Sequence, residues 1–235
     1  MTPQLIALTC AASLVLAVPS WAREIGPEGL ESLPVVDVVV LGEVHDNAAH
    51  HANQARAVAA IAPAALVFEM IDARQIARLP KDRSDAAAMA QALDWEARGW
   101  PDFAMYHPIF VSAPDARIYG GDLPRSVVTM AVRDGAAAAF GADAARFGLT
   151  LPYADDVQQA READLWAAHC FAMPRDLMGG MVEAQRLRDA AMAAAVLQAM
   201  DDTGGPVVVI TGAEHARRDI GIPALRTLAR PDLTG

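Results

Sequence analysis

The stretch Val35-Val36-Asp37-Val38-Val39-Val40-Leu41-Gly42-Glu43-Val44-His45-Asp46 decides the fold. Its first seven residues are almost continuously apolar, interrupted only by Asp37, and then run straight into a polar cluster. An apolar run this short, rich in β-branched residues, reads as a parallel strand buried on both faces. Outward from it, residues 47–61 read as a helix, with Asp46 as its N-cap and Pro63 beyond its end. Ala65 to Phe68 reads as a second strand, Arg117 to Tyr119 as a weaker third, and Val207 to Ile210 as a strong late one. Helical stretches fall between them: Ser84 to Arg98, Pro124 to Arg133, Ala154 to Cys170 and Asp176 to Met200. This alternation predicts an α/β fold: a mainly parallel β-sheet flanked by helices, with a helical elaboration in the C-terminal half between Ala154 and Met200.

The 235 residues, 54% of them apolar, suffice for one core, so residues 23–235 are expected to form a single domain. A net charge of −10 repels phosphate backbones and argues against a nucleic-acid partner. Cys10 and Cys170 are too few for a disulfide scaffold or a four-thiolate metal site. Lys81 is the only lysine, so arginine carries almost all the positive charge.

Residues 1–22 read as a signal peptide. The apolar run from Leu5 to Val18 is short for a membrane span, and Ser20-Trp21-Ala22 has the small-x-small form that signal peptidase cleaves. No Lys or Arg precedes the run, so only the α-amine supplies positive charge there. Lipidation at Cys10 is the less favoured alternative, because Thr9 precedes it and the apolar stretch continues beyond it. The expected location is the periplasm.

Polar residues gather where strands end. The first strand runs into Glu43 and His45, the second into Glu69, the third into Asp122, and the late strand into Gly212-Ala213-Glu214-His215. Ligands of open α/β sheets bind at the carboxyl ends of strands, so these groups are expected on one rim. Gly42-Glu43-Val44-His45 and Gly212-Ala213-Glu214-His215 share the form Gly-x-x-His directly after an apolar strand. The glycine is expected to permit a tight turn that a Cβ would obstruct. Two imidazoles with carboxylates suit a divalent metal or acid–base catalysis. A single Gly-x-x-His means little, but two at matching positions point to a site rather than to capped structural histidines.

Leu41-Gly-Glu-Val-His-Asp-Asn-x-x-His-His51 and Gly212-x-x-His-Ala-Arg-Arg-Asp-x-Gly-Ile-Pro223 resemble the opening and closing motifs of the ChaN-like haem-binding uptake proteins of the Tiki superfamily. Phe68-Glu-Met70, Gly99-Trp-Pro-Asp-Phe-Ala-Met-Tyr-His-Pro-Ile-Phe110, His169-Cys170 and Met181-Val-Glu-Ala-Gln-Arg-Leu-Arg-Asp189 agree, in the same order. The resemblance implies an envelope protein that binds haem at a homodimer interface. A tyrosine would ligate the iron, and basic or imidazole groups of the partner subunit would hold the propionates. It also implies hydrolytic relatives, among them metal-dependent proteases that use two Gly-x-x-His motifs with a glutamate.

On that resemblance Tyr106 is the expected iron ligand, because it lies in the Gly99–Phe110 segment. Pro101 and Pro108 on either side of it suggest an ordered, non-helical loop near the rim. Tyr119 falls in a strand and reads as core. His169, His215, Arg217 and Arg218 are the propionate candidates, since forked guanidiniums suit carboxylates. His169 has a competing structural explanation, as it ends a helix where the macrodipole favours a cation. His50 and His51 are about 100° apart on a helix and cannot both face one ligand. Methionines from Met173 to Met181, with Trp95, Trp100 and Trp166, would suit a flat apolar ligand, but at this spacing they suit ordinary core equally.

The leading expectation is therefore a periplasmic protein that captures or carries haem for iron uptake, as a dimer, alongside envelope transport components. The alternative is a metal-dependent hydrolase with Glu43, His45, Glu69 and His215 as catalytic groups and a divalent metal on His45, His215 and Glu43. A third possibility is a structural envelope protein with neither activity.

Overall fold

The computed structural model describes residues 23–235. The expected signal peptide over residues 1–22, and Cys10 with it, lie outside the described residues. Four strands form one sheet: β1 (Val38–Glu43), β2 (Ala65–Phe68), β3 (Arg117–Gly120) and β4 (Val207–Gly212). All neighbours are parallel, in the order β1-β4-β2-β3. The central strands β2 and β4 are buried along their whole length, which is why they read as unbroken apolar runs.

Side chains alternate between two cores. Ala65, Val67, Val207 and Val209 face one cluster, and Leu66, Phe68, Val208 and Ile210 face the other. On the second face lie α1 (Ala48–Ile61), the one-turn α2 (Ala73–Ile76), α3 (Ala86–Ala92) and α4 (Phe103–Ser112). On the first lie α5 (Arg125–Asp134), α6 (Ala136–Phe140), the long α8 (Met178–Thr203) and α9 (Ile222–Ala229), with α7 (Asp155–Ala168) packed on α8. Alanines at 190, 193 and 199 let α8 lie close against the sheet. Gly204, at φ 77°, ends α8 in the left-handed conformation, its N–H on the Met200 carbonyl. The helical elaboration expected over residues 154–200 corresponds to α7 and α8.

Three local expectations need correction. Asn47, not Asp46, caps α1, its side chain accepting from the N–H groups of Ala49 and His50. The helix expected over 84–98 is α3 followed by a separate 3-10 turn, Glu96–Arg98. Tyr106 stands not on a loop but in the middle of α4. Pro101 precedes the N-cap Asp102, and Pro108 is tolerated inside the helix. Burial of Phe103, Tyr106, Ile109 and Phe110 on one face outweighs the ladder bond that Pro108 removes.

Candidate functional site

The strand ends bring four ionisable groups together, and Asp189 of α8 extends them into a continuous chain of five. Glu43 ends β1, Glu69 follows β2, and His45 and His215 follow β1 and β4. His45 Nδ1 lies 2.8 Å from Glu43 Oε1, and its Nε2 lies 3.9 Å from Glu69 Oε1. The same Glu69 oxygen is 3.4 Å from His215 Nε2, while His215 Nδ1 is 2.6 Å from Asp189 Oδ1 on α8. Acid and imidazole thus alternate from Glu43 to Asp189. Glu69 is fixed by its other oxygen, which accepts from Thr211 Oγ1 at 2.9 Å and from the Gly212 N–H at 2.7 Å. The role expected of the two glycines also changes, since neither has a positive φ. A Cβ on Gly212 would lie 3.2 Å from His45 Nε2, and one on Gly42 would lie 3.0 Å from Ala216 Cβ. Close approach, rather than a turn, limits side chains there, more severely at Gly42 than at Gly212.

Glu43 anchors the far end. Tyr106 donates its hydroxyl to Glu43 Oε1 at 2.9 Å, and His51 Nδ1 lies 3.2 Å from Oε2. His51 also donates from Nε2 to the His45 carbonyl at 2.9 Å. His50, one residue away, turns elsewhere and accepts from the Val44 N–H. Tyr106 is fully buried. That burial, and then the negative charge of Glu43, push its hydroxyl far above the usual phenol range.

Burial opposes charge on every member of the chain, and the partners decide the outcome. Burial alone would raise Glu69, but His215, the Gly212 N–H and His45 lower its pKa to about 2. Burial alone would lower His215, but Asp189 and Glu69 raise its pKa to about 10. Glu43 is lowered on balance by hydrogen bonds from His45 and His51, and both imidazoles are raised. Complete burial raises Asp189 against the pull of the His215 imidazolium. The imidazolium of His215 is thus held between two acids.

Glu69 and His215 also form part of the wall of a cavity of about 680 Å³, within the size range of small-molecule sites. Arg125, Val128, Thr129 and Val132 of α5 and Met181, Ala184, Gln185 and Arg188 of α8 line it. Both sets repeat at i, i+3, i+4, i+7, so each is one helical stripe. Arg74, Arg98, Trp100 and His169 complete the walls together with Asp72 and Asp122. Asp122 bonds Arg98 closely and lies 3.5 Å from Arg188.

The family model described as haem-binding uptake, Tiki superfamily, ChaN matches residues 29–225. The chain belongs to this family. It is also similar to the ChaN of Campylobacter jejuni, a solved structure that describes cofacial haem binding. That likeness has a TM-score of 0.64 at 20% identity, over 88% of this chain and 80% of that one. At this identity it shows the fold alone. No match is found among curated proteins.

The segments that carry the ChaN resemblance now have positions. The Gly99–Phe110 segment supplies Trp100 to the cavity and Tyr106 to Glu43, while Met181–Asp189 supplies the α8 stripe and the partner of His215. Of the residues expected at the site, Glu43, His45, Glu69 and His215 come together, and His169 and His215 line the cavity. Tyr106, Arg217 and Arg218 do not line it. Arg217 is held by Asp219 at 2.8 Å, and Arg218 borders a different hollow with Ile222 and Arg226. Among the described residues, no group of three or more His, Cys, Asp or Glu side chains is arranged to hold a metal ion. Glu43 lies behind His45, where it orients the ring instead of sharing a focus with it. Asp189 and the cavity arginines were missed. Asp189 is a buried acid on α8, next to the buried Ala190, Met192 and Ala193, and an acid at the edge of that apolar run was its signal.

Proposed function

We propose that this ChaN-family protein captures or carries haem in the periplasm, with the macrocycle in the cavity lined by α5 and α8. The observation that carries the reading is the chemistry of that cavity. Trp100, Val128, Val132 and Met181 offer apolar and polarisable surface to a flat ring. Four arginines and the protonated His215, set against Glu69, Asp72 and Asp122, leave two positive charges in excess. That excess suits the two propionates of haem, and guanidinium forks suit carboxylates. Gln185 Oε1 is buried in the wall without a hydrogen-bond partner, as expected where a ligand completes the site.

Arg74, Arg98, Arg125 and Arg188 would hold the propionates, with His215 at the inner end. Bound haem would supply the iron chemistry of the site. The protein's own residues orient the ring, exclude water from its apolar faces and fix its acidic edge. A homodimer sharing the ligand would cover the open side, and the exposed Phe171 and Leu177, in the segment that follows His169, supply apolar surface for it. No helix among the described residues is long and apolar enough to cross a membrane. Iron uptake through this protein would therefore call on envelope transport components. Titration with ferric haem tests the reading: saturable binding at a fixed ratio per chain supports it, and only non-saturating, featureless uptake contradicts it.

One observation favours hydrolysis as a second reading. In the alternating chain, Glu43 orients His45, whose side chain is 33% exposed and so open to substrate. This is the arrangement of a general base. Ester or peptide turnover that disappears in His45→Ala would establish it, and a divalent metal at His45 and His215 would require His215 to lose its proton first.

A further inference from the structure

We infer that the outer edge of β1 is a docking site for an extended peptide segment of a partner protein, one that alternates apolar and acidic side chains. β1 is an end strand of the sheet. On its inner side the Val207 N–H donates to the Asp37 carbonyl and the Ala213 N–H to the Glu43 carbonyl, each at 2.8 Å. Alternate residues of a parallel strand bond one neighbour, so the backbone groups of Val38, Val40 and Gly42 point outward. Thr234 already takes the first of these, the Val38 N–H donating to its carbonyl at 3.1 Å. Val40 and Gly42 have no such partner among the described residues.

Edge strands are usually blunted by charge, proline or shortness. β3, at the other end of the sheet, is four residues long and opens on the exposed Arg117. β1 runs for six residues, Val-Val-Val-Leu-Gly-Glu, and its single charge is the buried Glu43. Gly42 is exposed and, lacking a side chain, lets another backbone come close.

A hollow lies on each side of this edge, and Val40 borders both. The one on the α1 side, about 290 Å³, is lined by Ile25, Pro27, Leu30 and Leu41 together with His50 and Asn53. The one on the α9 side, about 300 Å³, combines Val38, Ile222 and Pro223 with Arg218 and Arg226. Successive side chains of an added strand point to opposite faces. One would enter the apolar hollow and the next would meet the arginines. Strand addition of this kind takes affinity from main-chain hydrogen bonds and specificity from such alternate pockets.

Charge selects the occupant. Arg226 is buried and its Nε has no hydrogen-bond partner. Asp37, the acid that acts on it, is itself taken by the N–H and hydroxyl of Thr234, each at 2.7 Å. An acidic side chain from outside suits these guanidiniums. A second copy of the chain does not. Twofold pairing of two β1 edges runs antiparallel and keeps each sheet face on its own side, so it would set the arginine hollow of one copy beside that of the other.

The test titrates the protein with a capped peptide of about eight residues that alternates valine and glutamate. Saturable binding is expected, with the Val40 and Gly42 amides protected from hydrogen exchange. Lysine in place of glutamate, N-methylation of the peptide amides, and Arg218→Glu in the protein should each weaken binding about tenfold or more. The two peptide changes leave the protein intact, so a folding defect in Arg218→Glu cannot mimic them. No saturable binding, an N-methylated peptide that binds equally well, or unprotected Val40 and Gly42 amides would overturn the assignment. So would protection of those amides in peptide-free protein as its concentration rises, which would give the edge to a second copy. No residue lining either hollow lines the haem cavity, so the haem reading stands or falls separately.

Discussion

His215 Nδ1 lies 2.6 Å from Asp189 Oδ1, and the other nitrogen of the same ring faces Glu69 Oε1 at 3.4 Å. The three side chains come from the loop after β4, from α8 and from the end of β2, and all three are buried. The interaction therefore ties the long helix to the sheet at the point where the cavity begins.

Removing one partner of a buried pair leaves the other charge uncompensated, which costs more than the pair itself contributes. Asp189→Ala should destabilise the protein by about 3 kcal/mol, since Glu69 still supports the imidazolium. Asp189→Asn keeps an acceptor without the charge and should cost about 1–2 kcal/mol. Urea unfolding of the two variants beside wild type gives both values. Equal losses would mean that shape, and not charge, holds His215.

The same groups set the pH dependence. His215 is raised from 6.5 to about 10, so its contribution is complete below pH 6.5 and disappears as pH rises through about 10. Glu69 is lowered from 4.5 to about 2, so its contribution is complete above pH 4.5 and disappears as pH falls through about 2. Thermal unfolding across pH should show greatest stability between about pH 4.5 and 6.5, with a steady alkaline decline that Asp189→Ala makes shallower. A wild-type midpoint that stays level from pH 6 to 10 would contradict the assignment of the His215 proton.

The two motif glycines should differ in their tolerance of a methyl group. At Gly42 an added Cβ meets Ala213 Cα at 3.1 Å as well as Ala216 Cβ, and backbone cannot swing aside. At Gly212 it meets the imidazole of His45, which is partly exposed and can turn. Gly42→Ala should cost about 2 kcal/mol and Gly212→Ala less than about 1 kcal/mol. Gly212→Ala should still shift the His45 ring resonances in an NMR titration. The reverse order of stabilities would mean that the close approach at Gly42 is easily relieved.

Arg125 is exposed and makes no hydrogen bond or ion pair with the described residues, yet it stands on the cavity wall. Arg125→Glu should leave stability within about 0.5 kcal/mol of wild type. It should weaken ferric haem binding roughly 10- to 100-fold, the loss of one charge-assisted contact. Competition with a haem-scavenging protein measures the affinity, and an unchanged value would place the propionates elsewhere.

The sheet was legible because parallel strands buried on both faces leave unbroken runs such as Ala65–Phe68, which the structure matches residue for residue. The rim followed from where those runs stop, and this is how Glu43, His45, Glu69 and His215 were found together. Tyr106 was misplaced because two nearby prolines argue locally for a loop, whereas the spacing of Phe103, Tyr106 and Phe110 argues for a buried helical face, and packing prevailed. The cavity could not be read from a single segment. Two parts of its wall are helical stripes, 125–132 and 181–188, separated by nearly fifty residues and aligned only by the fold. Asp189 was hidden for the same reason, since its partner lies across α8.

A crystal structure of the haem-loaded protein tests the central claim most directly. The macrocycle should lie in the cavity lined by α5 and α8, its propionates on the Arg74, Arg98, Arg125 and Arg188 side. Haem seated away from these two helices, for example against Arg217 and Arg218, would contradict it.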